Sequence, residues 1–72
     1  MKLSYYPRTD SLYIDLSEHT STESREISEG IVLDYDVDGN LVGIDIDNAS
    51  GKVQLDTITL SGIRGDVQRR AG

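Results

Sequence analysis

Apolar and polar residues alternate along most of this chain: Leu3 and Tyr5, then Leu12, Ile14 and Leu16, then Ile31, Leu33 and Tyr35, then Val42, Ile44 and Ile46. A period of two is the pattern of strands half-buried on one face. Between the first two runs lies "PRTD", where Pro7 presets φ for the second position of a turn and Asp10 offers a local side-chain acceptor. Closing the chain over Pro7–Asp10 sets Tyr6 opposite Ser11, Tyr5 opposite Leu12 and Leu3 opposite Ile14, with every apolar partner on one face. The pair Asp38-Gly39 closes a second hairpin. Either a tight Asp-Gly turn or a loop from Val37 to Asn40 pairs Tyr35 with Val42, Leu33 with Ile44 and Ile31 with Ile46. A slip of one residue would set Asp34 against Val42 and Ile31 against Asp45, stranding carboxylates among aliphatics, so the unslipped register is expected.

The rest of the chain is less regular. In "SEHTSTESREISEG", Glu23–Ser28 predicts a polar edge strand with Ile27 as its main inward residue, its charges discouraging strand addition by another molecule. "NASGKV" predicts one helical turn or tight bend with Asn48 as its cap, and "QLDTITLSG" returns to strand-like residues. The closing "IRGDVQRRAG" has three arginines, two glycines and little to bury, the composition of a frayed end. The expected fold class is mainly β: an antiparallel β-meander of five to six strands with at most one short helical turn near residues 48–53. One domain is expected over residues 1–63, with a flexible basic tail at 64–72.

Length and composition sharpen this. A domain of 72 residues buries only roughly 60% of the surface its unfolded chain exposes, so it needs a further source of stability. There is no Cys to make a disulfide or thiolate metal site, which leaves self-association as the remaining staple. The longest apolar run is Ile31–Leu33, far short of the ~20 residues a membrane span requires. The opening "MKLSYYPRTD" lacks a signal-peptide core, and a cytoplasmic protein is expected.

Net charge is −6, which opposes attachment to nucleic acid or to anionic membrane. Its distribution is uneven: residues 1–51 hold 11 acids and 3 bases, net −8, and residues 52–72 hold 2 acids and 4 bases, net +2.

The sharpest chemical signal is "DYDVDGNLVGID", which places carboxylates at Asp34, Asp36, Asp38 and Asp45 with Gly39 between, the spacing of an EF-hand calcium loop ending in Asp instead of Glu. An EF-hand needs a helix on each side, whereas "EGIVLDY" and "LVGIDID" are β-branched and alternating. The preferred reading is a hairpin whose Asp34 and Asp36 lie on a solvated acidic face. A weak divalent-cation site, calcium being the candidate, at Asp34, Asp36, Asp38 and Asp45 is the alternative. His19 has no second His or Cys for a transition metal and reads as an idle imidazole in an exposed loop. Tyr6 and Tyr13 share the polar face of the first hairpin with Ser4, where they cover the sheet or stack a ligand. No nucleophile elbow and no phosphate loop occurs, so no catalytic residue and no cofactor is assigned, and no enzyme activity is expected.

The stretches "YYPRTDSLYIDL" and "GIVLDYDVDGNLVGIDIDNAS" together resemble the small bacterial and archaeal proteins of domain-of-unknown-function family 2283. The pattern is Tyr-x-Pro-x-x-Asp, a Leu-Tyr-Ile strand, Asp-Tyr-Asp-x-Asp-Gly and a Val-Gly-Ile strand; Tyr6 departs from it, Asp being frequent there. The resemblance implies a compact, mainly β prokaryotic domain and supplies no catalytic or binding residue to carry over. Some relatives look like partners of small toxin-like proteins. The function expected is a small acidic non-enzymatic interaction module, antitoxin-like or accessory. A homodimer is expected, because one apolar sheet face needs covering, and a basic protein is the expected partner of the acidic face.

Overall fold

A computed structural model of the chain describes residues 1–62. It is mainly β: β1 (Lys2–Tyr6), β2 (Ser11–Asp15), β3 (Glu23–Ser28), β4 (Ile31–Tyr35) and β5 (Leu41–Ile46) form one open antiparallel sheet, followed by a 3₁₀ turn at Ala49–Gly51. The expected helical turn is therefore present, and residues 54–62 form no strand. Ile63 and the tail at 64–72 lie outside the described residues.

The first hairpin closes as its pattern requires, with Leu3 opposite Ile14, Tyr5 opposite Leu12 and Tyr6 opposite Ser11. In the second, Ile31 faces Ile46 and Leu33 faces Ile44, but Tyr35 faces Leu41 instead of Val42. The correction has a local cause. Gly39, at φ +83, ends a tight turn in which its amide donates to the Asp36 carbonyl, and the Asp36 amide donates to Asn40 at 2.9 Å. That three-residue loop is one residue shorter than the Val37–Asn40 loop, so a bulge beside Tyr35 restores the apolar register.

Strand order is β1-β2-β5-β4-β3, so the sheet is a two-stranded hairpin (β1–β2) beside a three-stranded meander (β3–β4–β5) and not one continuous meander. β5 joins them by pairing Leu12 with Ile46, Tyr13 with Asp45, Ile14 with Ile44 and Asp15 with Gly43. The connection at 16–22 consequently passes beneath the tip of the β4–β5 hairpin. It is pinned at both ends, by the Leu16 amide on Val42 (2.9 Å) and the Thr22 amide on Tyr35 (2.8 Å).

β3 is the expected polar edge strand, exposed throughout. Ile27 does not point inward; it is 60% exposed. The pairing with β4 shifts between Glu26 and Ser28, leaving Ile27 as the extra residue of a bulge.

Among the described residues, Leu12, Val42, Ile46 and Ala49 are the buried hydrophobic ones, and no large side chain is completely shielded from solvent. Ile14, Ile44, Val53 and Leu55 pack against Leu12, Ile46 and Ala49. Thus Val53, Leu55 and Ile58, after the 3₁₀ turn, fold back over the β1-β2-β5 half of the apolar face. At the other edge, the Arg25 guanidinium sits 5.6 Å from the centre of the Tyr35 ring, a cation–π contact in place of a core.

Candidate functional site

Four groups of side chains carry the chemistry expected of this sequence. The first begins at Asp10, a non-glycine residue at φ +54, a backbone region that Asp tolerates better than most residues. Its carboxylate accepts the Tyr5 hydroxyl at 2.7 Å, the Ser50 hydroxyl at 2.7 Å and the Ser50 amide at 3.1 Å, and its carbonyl accepts the Ala49 amide at 2.9 Å. Asp10, from the β1–β2 turn, therefore caps the 3₁₀ turn. Asn48 does not: it stands at the cap position with a left-handed backbone (φ +51) and makes no side-chain cap bond. The bond from Ser50, then that from Tyr5, holds the Asp10 carboxyl below its ordinary range, and the same pairing with Asp10 pushes the Tyr5 phenol up. Tyr5 and Asp10 of the Tyr-x-Pro-x-x-Asp pattern are thus a structural pair that docks the C-terminal turn on the sheet.

The second group lies on the polar face. Tyr13 on β2 donates to Asp34 Oδ2 at 2.7 Å, and Ser24 on β3 donates to Asp34 Oδ1 at 2.6 Å. Tyr13 reaches β4 by crossing β5 at Gly43, where a Cβ would come within 2.8 Å of the ring carbon Cζ and closer still to the hydroxyl. Glycine within a β-branched strand commonly marks such a close approach. The Asp34 bond, burial and neighbouring carboxylates push the Tyr13 phenol to about 12. Near neutral pH it is a fixed proton donor and not a base. Asp45, opposite Tyr13, has its carboxyl raised by burial and by the charges of Asp47 and Asp34.

Asp36 forms the third. It is 6% exposed, so it does not belong to a solvated face. Strand parity stops at Tyr35, and beyond it the Asp36 carboxylate turns into its own loop, accepting the amides of Asn40 (2.8 Å) and Asp38 (3.0 Å). The Asn40 side-chain amide and His19 Nδ1 approach Oδ2 at 3.3 and 3.1 Å. The Asn40 amide bond, with those from His19 and Asp38, outweighs burial and lowers the Asp36 carboxyl. His19, exposed as expected, is not idle: it ties the connection at 16–22 to the hairpin tip.

These positions bear on the calcium reading. Asp34 is held by Tyr13 and Ser24, Asp36 faces its own loop, Asp38 is exposed at the tip and Asp45 lies on the polar face of β5. The structure does not gather them: among the described residues no three His, Asp or Glu side chains are placed to hold a metal ion. Tyr13 is committed to Asp34, and Tyr6 remains exposed.

The fourth group is an apolar groove of about 360 Å³ on the other face, walled by Leu3, Tyr5, Leu12 and Ile14 of the sheet and by Leu55 and Ile58 of the returning chain. The sequence shows the alternating strand residues that build its floor; the partial wall contributed by residues 53–58 is a tertiary feature that periodicity does not carry. No helix among the described residues is long and apolar enough to cross a membrane.

The open antiparallel sheet, with a capped 3₁₀ turn and a groove beside it, defines a small mainly β protein. A family model described as a protein of unknown function (DUF2283) matches residues 2–50, and the chain belongs to that family. The match spans all five strands and ends inside the 3₁₀ turn. No curated protein and no solved structure matches the chain.

Proposed function

We propose that this chain is a small non-enzymatic protein-interaction module, antitoxin-like or accessory in kind and cytoplasmic, that self-associates through its apolar face and receives a basic protein on its acidic one. The observation that carries the reading is the apolar groove. Leu3 and Tyr5 stand 40% and 41% exposed along its wall, and contiguous exposed apolar surface on a small protein is commonly a contact surface. Charge supports the second half of the reading, because a body of net −8 over residues 1–51 steers basic partners toward it and repels acidic ones. Asp34, Asp36 and Asp10 each accept several protein donors, and Tyr13 keeps its proton near neutral pH, which supports a structural role for these groups.

Affinity capture from a lysate of the source organism tests this, using the wild-type chain and two variants, Leu3→Asp in the groove wall and Asp15→Lys on the polar face. Both are expected to stay folded, since neither side chain is buried. A protein held by the wild type, released by raised salt and lost with Asp15→Lys supports the reading, as does loss of self-association with Leu3→Asp. Capture that is the same for all three chains contradicts it.

A further inference from the structure

Residues 57–61, "TITLS", have the sequence of a strand and the structure of none. Thr and Ile favour strands and the apolar residues alternate, yet the segment is irregular and makes no backbone hydrogen bond to the other described residues. Ile58 and Leu60 are 66% and 54% exposed. The segment is nevertheless held close to the groove, because Val53 and Leu55, just before it, pack against the core, and Ile58 lines the groove wall. In its own molecule it therefore borders the groove without filling it.

We propose that residues 57–61 are an exchange arm: in a dimer, the arm of each copy adds as a sixth strand to the free edge of β1 in the other, placing Ile58 and Leu60 beside Leu3 and Tyr5 over the groove. This deepens the self-association reading above and rests on it. Two features select this occupant and this edge.

The first is the edge itself. Among the described residues the sheet ends at β1 and β3. β3 carries Glu23, Arg25 and Glu26 and a bulge, devices that discourage strand addition. β1 pairs regularly with β2 along its whole length and has Lys2 as its sole charge, so it is the unprotected edge.

The second is pattern. Ile58 and Leu60 have the same two-residue spacing as Leu3 and Tyr5, so a strand laid against β1 with those two on the apolar face extends it and leaves Thr57, Thr59 and Ser61 on the polar one.

A strand traded between identical chains forms a closed two-fold assembly, so association ends at the dimer.

Because the chain has no native Cys, crosslinking reads the contact directly. One preparation carries Ser4→Cys; others carry Thr57→Cys, Thr59→Cys or Ser61→Cys, covering the registers that alternate positions allow. Neighbouring strands bring Cα atoms within disulfide reach. Mixing the first with each of the others under mild oxidant is expected to give a crosslinked heterodimer for at least one pair. In parallel, Ile58→Ser with Leu60→Ser, at positions exposed in the monomer, is expected to weaken dimerisation at least about tenfold while leaving the sheet folded.

A wild-type dimer with no crosslink in any mixture and no effect of the double variant overturns arm exchange but leaves self-association standing. A crosslink formed only within one molecule of a Ser4→Cys/Thr59→Cys chain also overturns the exchange. A wild type that is monomeric at all concentrations removes both readings.

Discussion

Tyr13 on β2 and Asp34 on β4 are hydrogen-bonded at 2.7 Å across an intervening strand, and Gly43 of that strand is the residue that lets them meet. The bond spans three adjacent strands and fastens the first hairpin to the second on the polar face. Gly43→Ala is expected to cost about 1–3 kcal/mol, because the new methyl must displace a ring that is anchored at its far end. Tyr13→Phe is expected to cost about 1 kcal/mol through loss of the bond to Asp34. Denaturant melts of both single variants and the double variant should show total destabilisation below the sum of the two by about 0.5 kcal/mol or more, since both act on one contact. Strict additivity would show that Gly43 and Tyr13 do not interact.

High pH should loosen the same contact. The Tyr13 phenol is raised from 10.0 to about 12 in the folded chain. Its contribution is therefore complete below pH 10 and is lost as pH rises from 10 toward 12. Tyr5 is raised as well, by Asp10, and adds a loss of the same sign. Melting temperature followed upward through this window should fall less steeply in Tyr13→Phe than in the wild type. Parallel curves would remove the Tyr13–Asp34 bond as a source of stability.

Acid acts through Asp36 and Asp10. Both carboxyls lie below their ordinary value of 3.8, so the stability they contribute is present above that value and is lost as pH falls through it toward the lower folded one. Asp36→Ala is expected to lower the melting temperature by several degrees at neutral pH, because it strips the amides of Asp38 and Asn40 of their acceptor. It should also flatten the acid limb of the curve. His19→Ala should have a smaller effect in the same direction, since it removes one partner from an otherwise satisfied carboxylate.

Asp45 has the opposite sign. Its carboxyl is raised by burial and by Asp47 and Asp34, so its ionised form at neutral pH opposes folding, and the penalty is relieved as pH falls. Asp45→Asn is expected to raise the melting temperature by a few degrees. A lowered melting point would show that the carboxylate makes a favourable contact.

Much of the fold is legible in the sequence where a mistake would bury charge. The pairing of Leu3 with Ile14 and of Leu33 with Ile44 follows from alternation and turn position together, because a slip of one residue reverses the faces and in the second hairpin sets Asp34 and Asp45 against aliphatics. Strand order is not legible, since the meeting of β2 with β5 is a long-range choice about which period two says nothing. Ile27 and Tyr35 escape for a related reason: a single extra residue in a bulge reverses parity locally, and nothing in "REISEG" or "GNLVG" marks it. Asp36 looks solvated only if the strand is extended one residue too far. The links at the site were half visible. Tyr5 and Asp10 stand out as a pattern and Gly43 as a glycine in a strand, but their partners Ser50, Tyr13 and Asp34 lie on other elements.

The described residues leave part of the apolar face exposed at Leu3, Tyr5 and Ile58, and self-association is the most direct test of what that face is for. Sedimentation of the wild-type protein over a wide concentration range, with thermal melts of the same samples, should show a monomer–dimer equilibrium and a melting temperature that rises with concentration. A monomer at every concentration, with one unchanging melting temperature, would contradict this and assign the groove beside Leu3, Tyr5 and Ile58 to no second copy.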